Sequence, residues 1–256
     1  MRQAGGVRGG LAAIMAAMTP PAHALPLRVL LPGMDGTGRL FQRFDAVLRG
    51  QADMGSLAIA YPATPLAYPA LEAFVRERLP RERPFIVLAE SFSGPLGAAL
   101  RADPPPGMRA LILCCSFVRN PRPLLAPLRH LLDLLPFGAM PRFALRQALL
   151  APFATPDLEA DLVGALAHVP PGVLRQRLRA VITADATPAL ARGSLPVLYL
   201  RARHDRLVPP ATALQILRLA PGAQLVDIDA PHMLLQAAPA ATADAIAAFC
   251  ASLSAA

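Results

Sequence analysis

Short, uninterrupted apolar runs alternate with amphipathic stretches along most of the chain. Leu27–Leu31, Leu57–Tyr61, Pro84–Ala89, Met108–Cys115, Leu195–Leu200 and Ala223–Asp229 have the length of strands and are bounded by turn-forming residues, which predicts six buried strands. Apolar positions recurring every three or four residues predict helices over Arg39–Leu48, Ala67–Leu79, Phe92–Arg101, Ala211–Leu219 and Met233–Leu253. Strand and helix in alternation predict an α/β protein, a mostly parallel sheet with helices on both faces. From Ser116 to about Ser194 the alternation lapses. Leucine-, alanine- and proline-rich segments at Leu124–Leu135, Pro141–Leu150, Asp157–Ala167 and Val173–Thr183 predict a helical insertion, residues 116–194, between the core parts 25–115 and 195–256.

One strand-to-helix junction carries a candidate nucleophile. The run Pro84-Phe85-Ile86-Val87-Leu88-Ala89 stops at Glu90-Ser91 and a helical pattern begins at Phe92. A tight turn of this kind, flanked by small residues, projects a serine hydroxyl toward a base and a substrate carbonyl. In the G-x-S-x-G form of that turn, Ala89 and Ser93 stand at the two glycine positions. Taken alone, Ser91 reads equally well as a helix cap after a buried strand. Position along the chain adds to it. Asp205 follows the strand Leu195–Leu200, and His232 follows the strand Ala223–Asp229, in the order serine, aspartate, histidine that goes with a nucleophile on a turn of this type. His23, His130, His168 and His204 lack such a position, and Asp227 and Asp229, alternating with apolar residues, read as solvent-facing. Glu90 reads as structural, pointing away from the site.

A loop after the first strand supplies the remaining element. Pro32-Gly33-Met34-Asp35-Gly36-Thr37-Gly38 lies between a strand and a helix, and its glycines suit main chain that turns sharply close to a substrate. Acyl transfer needs N–H donors for an oxyanion, and the main-chain N–H groups of Met34 and Phe92 are the two candidates. A phosphate loop is excluded: the glycines run G-x-x-G-x-G, and the chain has no lysine.

Together the Leu31–Gly38 stretch, Glu90-Ser91-Phe92-Ser93-Gly94, Asp205 and His232 resemble the α/β-hydrolase superfamily, and within it a branch of small bacterial esterase-like members whose distant relatives include plant enzymes that esterify phytol and diacylglycerol. The resemblance spans about Leu27 to Leu253. It implies the α/β-hydrolase fold, a catalytic triad of Ser91, Asp205 and His232, and a cap at the helical insertion. Pro32-Gly33 stands where such members carry His-Gly, and the two antiparallel strands that usually come first are missing, which predicts a trimmed sheet. In the cap, Leu135, Phe137, Phe143 and Phe153, with Leu131, Leu134 and Met140, are candidates for an apolar substrate-binding wall over Ser91; packing of the cap onto the core is the plainer reading of each.

Composition narrows the classes. The chain has 256 residues, enough for one domain with a large core. Its mean hydropathy of +0.42 reflects alanine, leucine and proline, and no apolar run reaches the length of a membrane span. The formal charge of +8 comes from 25 arginines scattered along the chain, and aromatics make up 5%, which argues against nucleic-acid recognition. Three cysteines without metal-ligand spacing argue against a disulfide framework and a zinc site; Cys114 and Cys115, adjacent on a strand, are expected on opposite faces as buried thiols. Residues 1–24 have a signal-like pattern ending in Ala22-His23-Ala24, or are an extension ahead of Met15 and Met18 as alternative starts. The expectation is a cytoplasmic protein, with export as the alternative.

The function these residues imply is cleavage of a small apolar carboxylic ester through an acyl-enzyme on Ser91, without cofactor or metal. An acyltransferase with the same triad and a non-catalytic ligand binder stay open. The oligomeric state is not specified by these patterns.

Overall fold

A computed structural model describes residues 26–49, 55–124, 126–127 and 141–254. Six strands form one sheet: β1 (Leu27–Leu31), β2 (Ser56–Ala58), β3 (Phe85–Glu90), β4 (Met108–Cys114), β5 (Val197–Ala202) and β6 (Gln224–Ile228). Their order is β2-β1-β3-β4-β5-β6. Every pairing is parallel, with Leu30 opposite Leu88, Leu88 opposite Ile112 and Ile112 opposite Leu198 at the centre. The expected N-terminal extension lies outside the described residues.

Why the strands read as continuous apolar runs is visible in the packing. Side chains alternate between faces with a period of two. Val29, Leu31, Val87, Ala89, Leu111, Leu113, Val197 and Tyr199 join one core cluster, and Leu30, Ile86, Leu88, Ile112, Leu198 and Leu200 the other. On the first face lie α2 (Tyr68–Arg76), α3 (Gly94–Ala102) and α8 (Ala211–Leu219), and on the second α1 (Gln42–Leu48) and the C-terminal helices. With both faces covered, no polar residue is needed at alternate positions.

Several boundaries differ from expectation for local reasons. The C-terminal helix is split into α9 (Leu234–Ala237) and α10 (Pro239–Ser254), because Pro239 lacks an N–H and drives Ala238 out of the helical region, to φ −134° and ψ 54°. Strand β2 ends at Ala58; beyond it Ile59 N–H still donates to Leu30 C=O, but Tyr61 N–H donates to Gly36 C=O at 2.7 Å, so the segment is drawn to the loop after β1. Cys114 and Cys115 do not point to opposite faces. Cys115 turns into a left-handed conformation, φ 45°, which breaks the alternation and leaves both thiols in one core cluster.

The insertion between β4 and β5 contains α4 (Arg142–Leu149), α5 (Pro156–Leu166), α6 (Pro171–Ile182) and a short helix absent from the sequence reading, α7 (Thr187–Arg192). Most of the segment expected to be helical at Leu124–Leu135 lies outside the described residues. The chain re-enters the sheet past the buried Arg101 of α3, whose guanidinium donates to Leu190 C=O at 2.5 Å and to Leu195 C=O at 2.7 Å. Among the described residues no helix is long and apolar enough to cross a membrane.

Helix α3 starts under strong steric constraint. A Cβ on Gly94 would sit 2.1 Å from Phe117 C=O and 2.2 Å from Ser116 Oγ. Gly94→Ala is expected to destabilise the fold by about 1–3 kcal/mol, as overpacking against main chain does, and urea denaturation measures it. An unchanged midpoint would mean that the turn between β3 and α3 relaxes freely.

Candidate active site

Strand β3 ends at Glu90, and the 3₁₀ turn Ser91–Ser93 leads into α3. Ser91 itself has φ 45°. For a residue with a Cβ this left-handed conformation costs on the order of 1–3 kcal/mol and persists only where surrounding contacts enforce it. They do so here: Ser116 Oγ–H donates to Ser91 C=O at 2.5 Å, and Tyr199 O–H donates to Ser116 C=O at 3.0 Å. The result is a half-buried serine whose hydroxyl faces the sheet's C-terminal edge.

There the structure brings three sequence-predicted residues together. Ser91 Oγ lies 2.9 Å from His232 Nε2, and His232 Nδ1 lies 2.8 Å from Asp205 Oδ2. The tautomer follows from Asp205. Its Oδ1 already accepts from the N–H groups of Leu207, at 2.8 Å, and Val208, at 2.9 Å, and Oδ2 needs a donor. Nδ1 therefore carries the proton and Nε2 is free to accept from Ser91. Both side chains are almost inaccessible, 7% for His232 and 4% for Asp205. Burial lowers the His232 pKa, but the Asp205 charge and hydrogen bond, with Glu90, outweigh it and set the net value above that of ordinary histidine. Asp227 and Asp229 are engaged elsewhere, with Arg201 at 2.6 Å and with His204 at 2.9 Å.

The loop after β1 faces the same point. Gly33, Met34 and Asp35 line a cavity with Ser91 and His232. Phe92 is fully buried: its ring is stacked on Tyr68 at 4.9 Å, and its carbonyl accepts from Tyr68 O–H at 2.8 Å. The two departures from the expected motifs meet each other. Ser93, in place of glycine, donates from Oγ to the carbonyl of Pro32, in place of histidine, at 2.5 Å, and Tyr61 O–H bonds Ser93 Oγ in turn.

Glu90 does not point away from the site, contrary to expectation. It lines the cavity and accepts from Gln236 Nε2 at 3.2 Å. Burial, then the nearby Asp35, pushes its pKa up to about 7. The alternation of β3 was the available signal: Leu88 and Glu90 share a face, so Glu90 continues inward beneath the loop.

The cavity, about 250 Å³, is walled by Leu145, Ala148 and Leu149 of α4, Leu162 and Leu166 of α5, Leu174 of α6, and Leu207 and Met233. Two expected wall residues are not in it. Phe143 is 69% exposed, because it stands two positions from Leu145 on α4 and so on the opposite helix face; Phe153 packs instead against the His204 ring at 5.3 Å. Leu135 and Phe137 lie outside the described residues, as do Leu131, Leu134 and Met140.

No protein-family model matches the chain, and no curated protein does. Solved structures do resemble it. An enol-lactonase from Burkholderia xenovorans superimposes with a TM-score of 0.74 at 19% identity, over 90% of this chain and 93% of that one. A hydrolase from Pseudomonas aeruginosa gives 0.74 at 20% identity, over 90% and 91%, and an esterase from Exiguobacterium antarcticum 0.73 at 13%, over 88% and 91%. With its parallel sheet, the chain has the α/β-hydrolase fold.

Proposed function

We propose that this chain is a serine hydrolase that cleaves an uncharged carboxylic ester with an apolar acyl group. The observation that carries the reading is the Ser91–His232–Asp205 relay, with a bare Nε2 aimed at a strained serine on the floor of an apolar cavity. His232 takes the Ser91 proton as Oγ attacks the ester carbonyl, and the N–H groups of Met34 and Phe92 receive the oxyanion. His232 then returns the proton to the leaving alkoxide. Water repeats the sequence on the acyl-enzyme, releasing the acid and restoring Ser91. Besides His232, the cavity's titratable side chains are the carboxyl groups of Asp35 and Glu90, and among the described residues no cationic side chain lines it to receive an anionic substrate. In this reading 25–115 and 195–256 are the catalytic core and 116–194 is a cap whose leucines hold the acyl chain.

Labelling of Ser91 by an alkyl fluorophosphonate, with hydrolysis of a graded series of esters, tests the proposal. A folded protein that does neither would be a binder on this fold. Added alcohols partition the acyl group between water and a second ester, which separates hydrolase from acyltransferase.

The ester series also tests the cavity. Each buried methylene contributes about 0.8 kcal/mol, roughly fourfold in kcat/KM, until the space is filled. Preference is expected to rise and then fall with acyl length, and Leu145→Ala or Leu166→Ala to move the optimum to longer chains. A flat profile unmoved by both substitutions would place acyl recognition elsewhere.

A further inference from the structure

The loop that presents Met34 is gripped at successive residues. Ser93 Oγ–H donates to Pro32 C=O at 2.5 Å, Gly36 N–H donates to Gly33 C=O at 3.1 Å, and Tyr61 N–H donates to Gly36 C=O at 2.7 Å. All three donors belong to the loop itself or to the core. The two carbonyls between them go to one side chain of the insertion. Arg177, on α6, donates from Nη1 to Met34 C=O at 2.8 Å and to Asp35 C=O at 2.7 Å, and from Nη2 to Pro62 C=O at 3.3 Å.

The contact is built. Arg177 is 3% exposed, its guanidinium carbon 5.8 Å from the centre of the Tyr61 ring. Gly36, at φ +67°, could not carry a side chain: a Cβ there would lie 2.4 Å from Nη1. Burying a guanidinium is costly unless its donors are satisfied, and simple packing of α6 is already served by Val173, Leu174 and Val181. Its planar fork suits several carbonyls at once, which an ammonium does not. The Met34 N–H lies between two fixed points, the Gly33 C=O of its own peptide, which accepts from Gly36 N–H at 3.1 Å, and the Met34 C=O held by Arg177. Planar peptides leave it little freedom to swing.

We propose that Arg177 is a positioning residue for the oxyanion hole: from helix α6 it fixes the carbonyls of Met34 and Asp35, and so aims the Met34 N–H only while α6 is seated on the loop. The inference rests on the ester-hydrolase reading above.

Wild type, Arg177→Lys and Arg177→Met are compared in ester hydrolysis and in inhibition by two ligands. An alkylboronic acid forms a tetrahedral adduct on Ser91 that needs the oxyanion donors; an alcohol of the same length fills only the cavity. Arg177→Met is expected to lose about 10²-fold in kcat with KM within threefold, as misaimed oxyanion donors do, and Arg177→Lys to fall between. Boronate affinity should weaken with kcat while alcohol affinity stays. If kcat is unchanged in a folded Arg177→Met protein, or if both inhibitors weaken together, the inference is wrong. Should that variant fail to fold, Gly36→Ala disturbs the same contact from the loop side and is expected to cost at least tenfold in kcat; wild-type kcat there also overturns it. Failure of the wild type to label or hydrolyse would sink the functional reading itself, whereas a labelled, active wild type beside an indifferent Arg177→Met sinks only this inference.

Discussion

Ser91→Ala is expected to lower ester turnover by roughly 10³-fold or more while leaving the unfolding midpoint close to that of the wild type. The hydroxyl supplies the bond-forming oxygen, and its one side-chain hydrogen bond runs to His232 Nε2 at 2.9 Å. Little else depends on it. The φ of 45° is as accessible to alanine as to serine, and the contact that holds the turn, from Ser116 Oγ to Ser91 C=O, involves main chain. What survives the substitution is cavity binding and the oxyanion donors, which sustain only residual catalysis by bound water. Steady-state hydrolysis of the best ester in the series, paired with urea denaturation, measures both halves. A well-folded variant that keeps most of its activity would remove Ser91 from the chemistry.

The order of the three residues was legible because each follows a strand, and strands buried on both faces announce themselves as short apolar runs. Direction in a parallel sheet does the rest: Ser91, Asp205 and His232 all come after strands and must gather at the same edge. What was hidden depends on contacts across the fold. Arg177 is one of 25 arginines, and its acceptors are main-chain carbonyls of residues 142 and 143 positions away, so no spacing or motif marks it. Ser93 and Pro32 each looked like a departure from a motif, and only their hydrogen bond shows that they are one feature. The cavity wall was misread for a different reason. Helical phase decides which side chains of α4 face inward, and Leu145 and Leu149, four apart, have it where Phe143 does not.

Asp205→Asn is expected to cost about 10³- to 10⁴-fold in kcat/KM, and the surrounding hydrogen bonds say why. Oδ1 accepts from two main-chain N–H groups, at 2.8 and 2.9 Å, so the asparagine carbonyl must occupy that position. Its NH₂ then faces His232 Nδ1, where it donates instead of accepting. The imidazole is forced into the tautomer with its proton on Nε2, and that atom can no longer take the Ser91 proton. A shift in pH dependence should accompany the loss. In the wild type burial lowers the His232 pKa, but Asp205 and Glu90 raise it to a net value above ordinary histidine, so the neutral base, and activity with it, declines as pH falls through that raised value. Without the aspartate charge and its hydrogen bond, burial is opposed only by Glu90, and the acid limb of the residual activity should move to lower pH. Asp227→Asn and Asp229→Asn act on surface contacts, an ion pair with Arg201 and a hydrogen bond with His204, and are expected to change kcat/KM less than threefold. A pH–rate profile of all three variants separates the cases: if either control matches Asp205→Asn, or if the acid limb of Asp205→Asn stays where it is in the wild type, the orienting carboxylate is another residue.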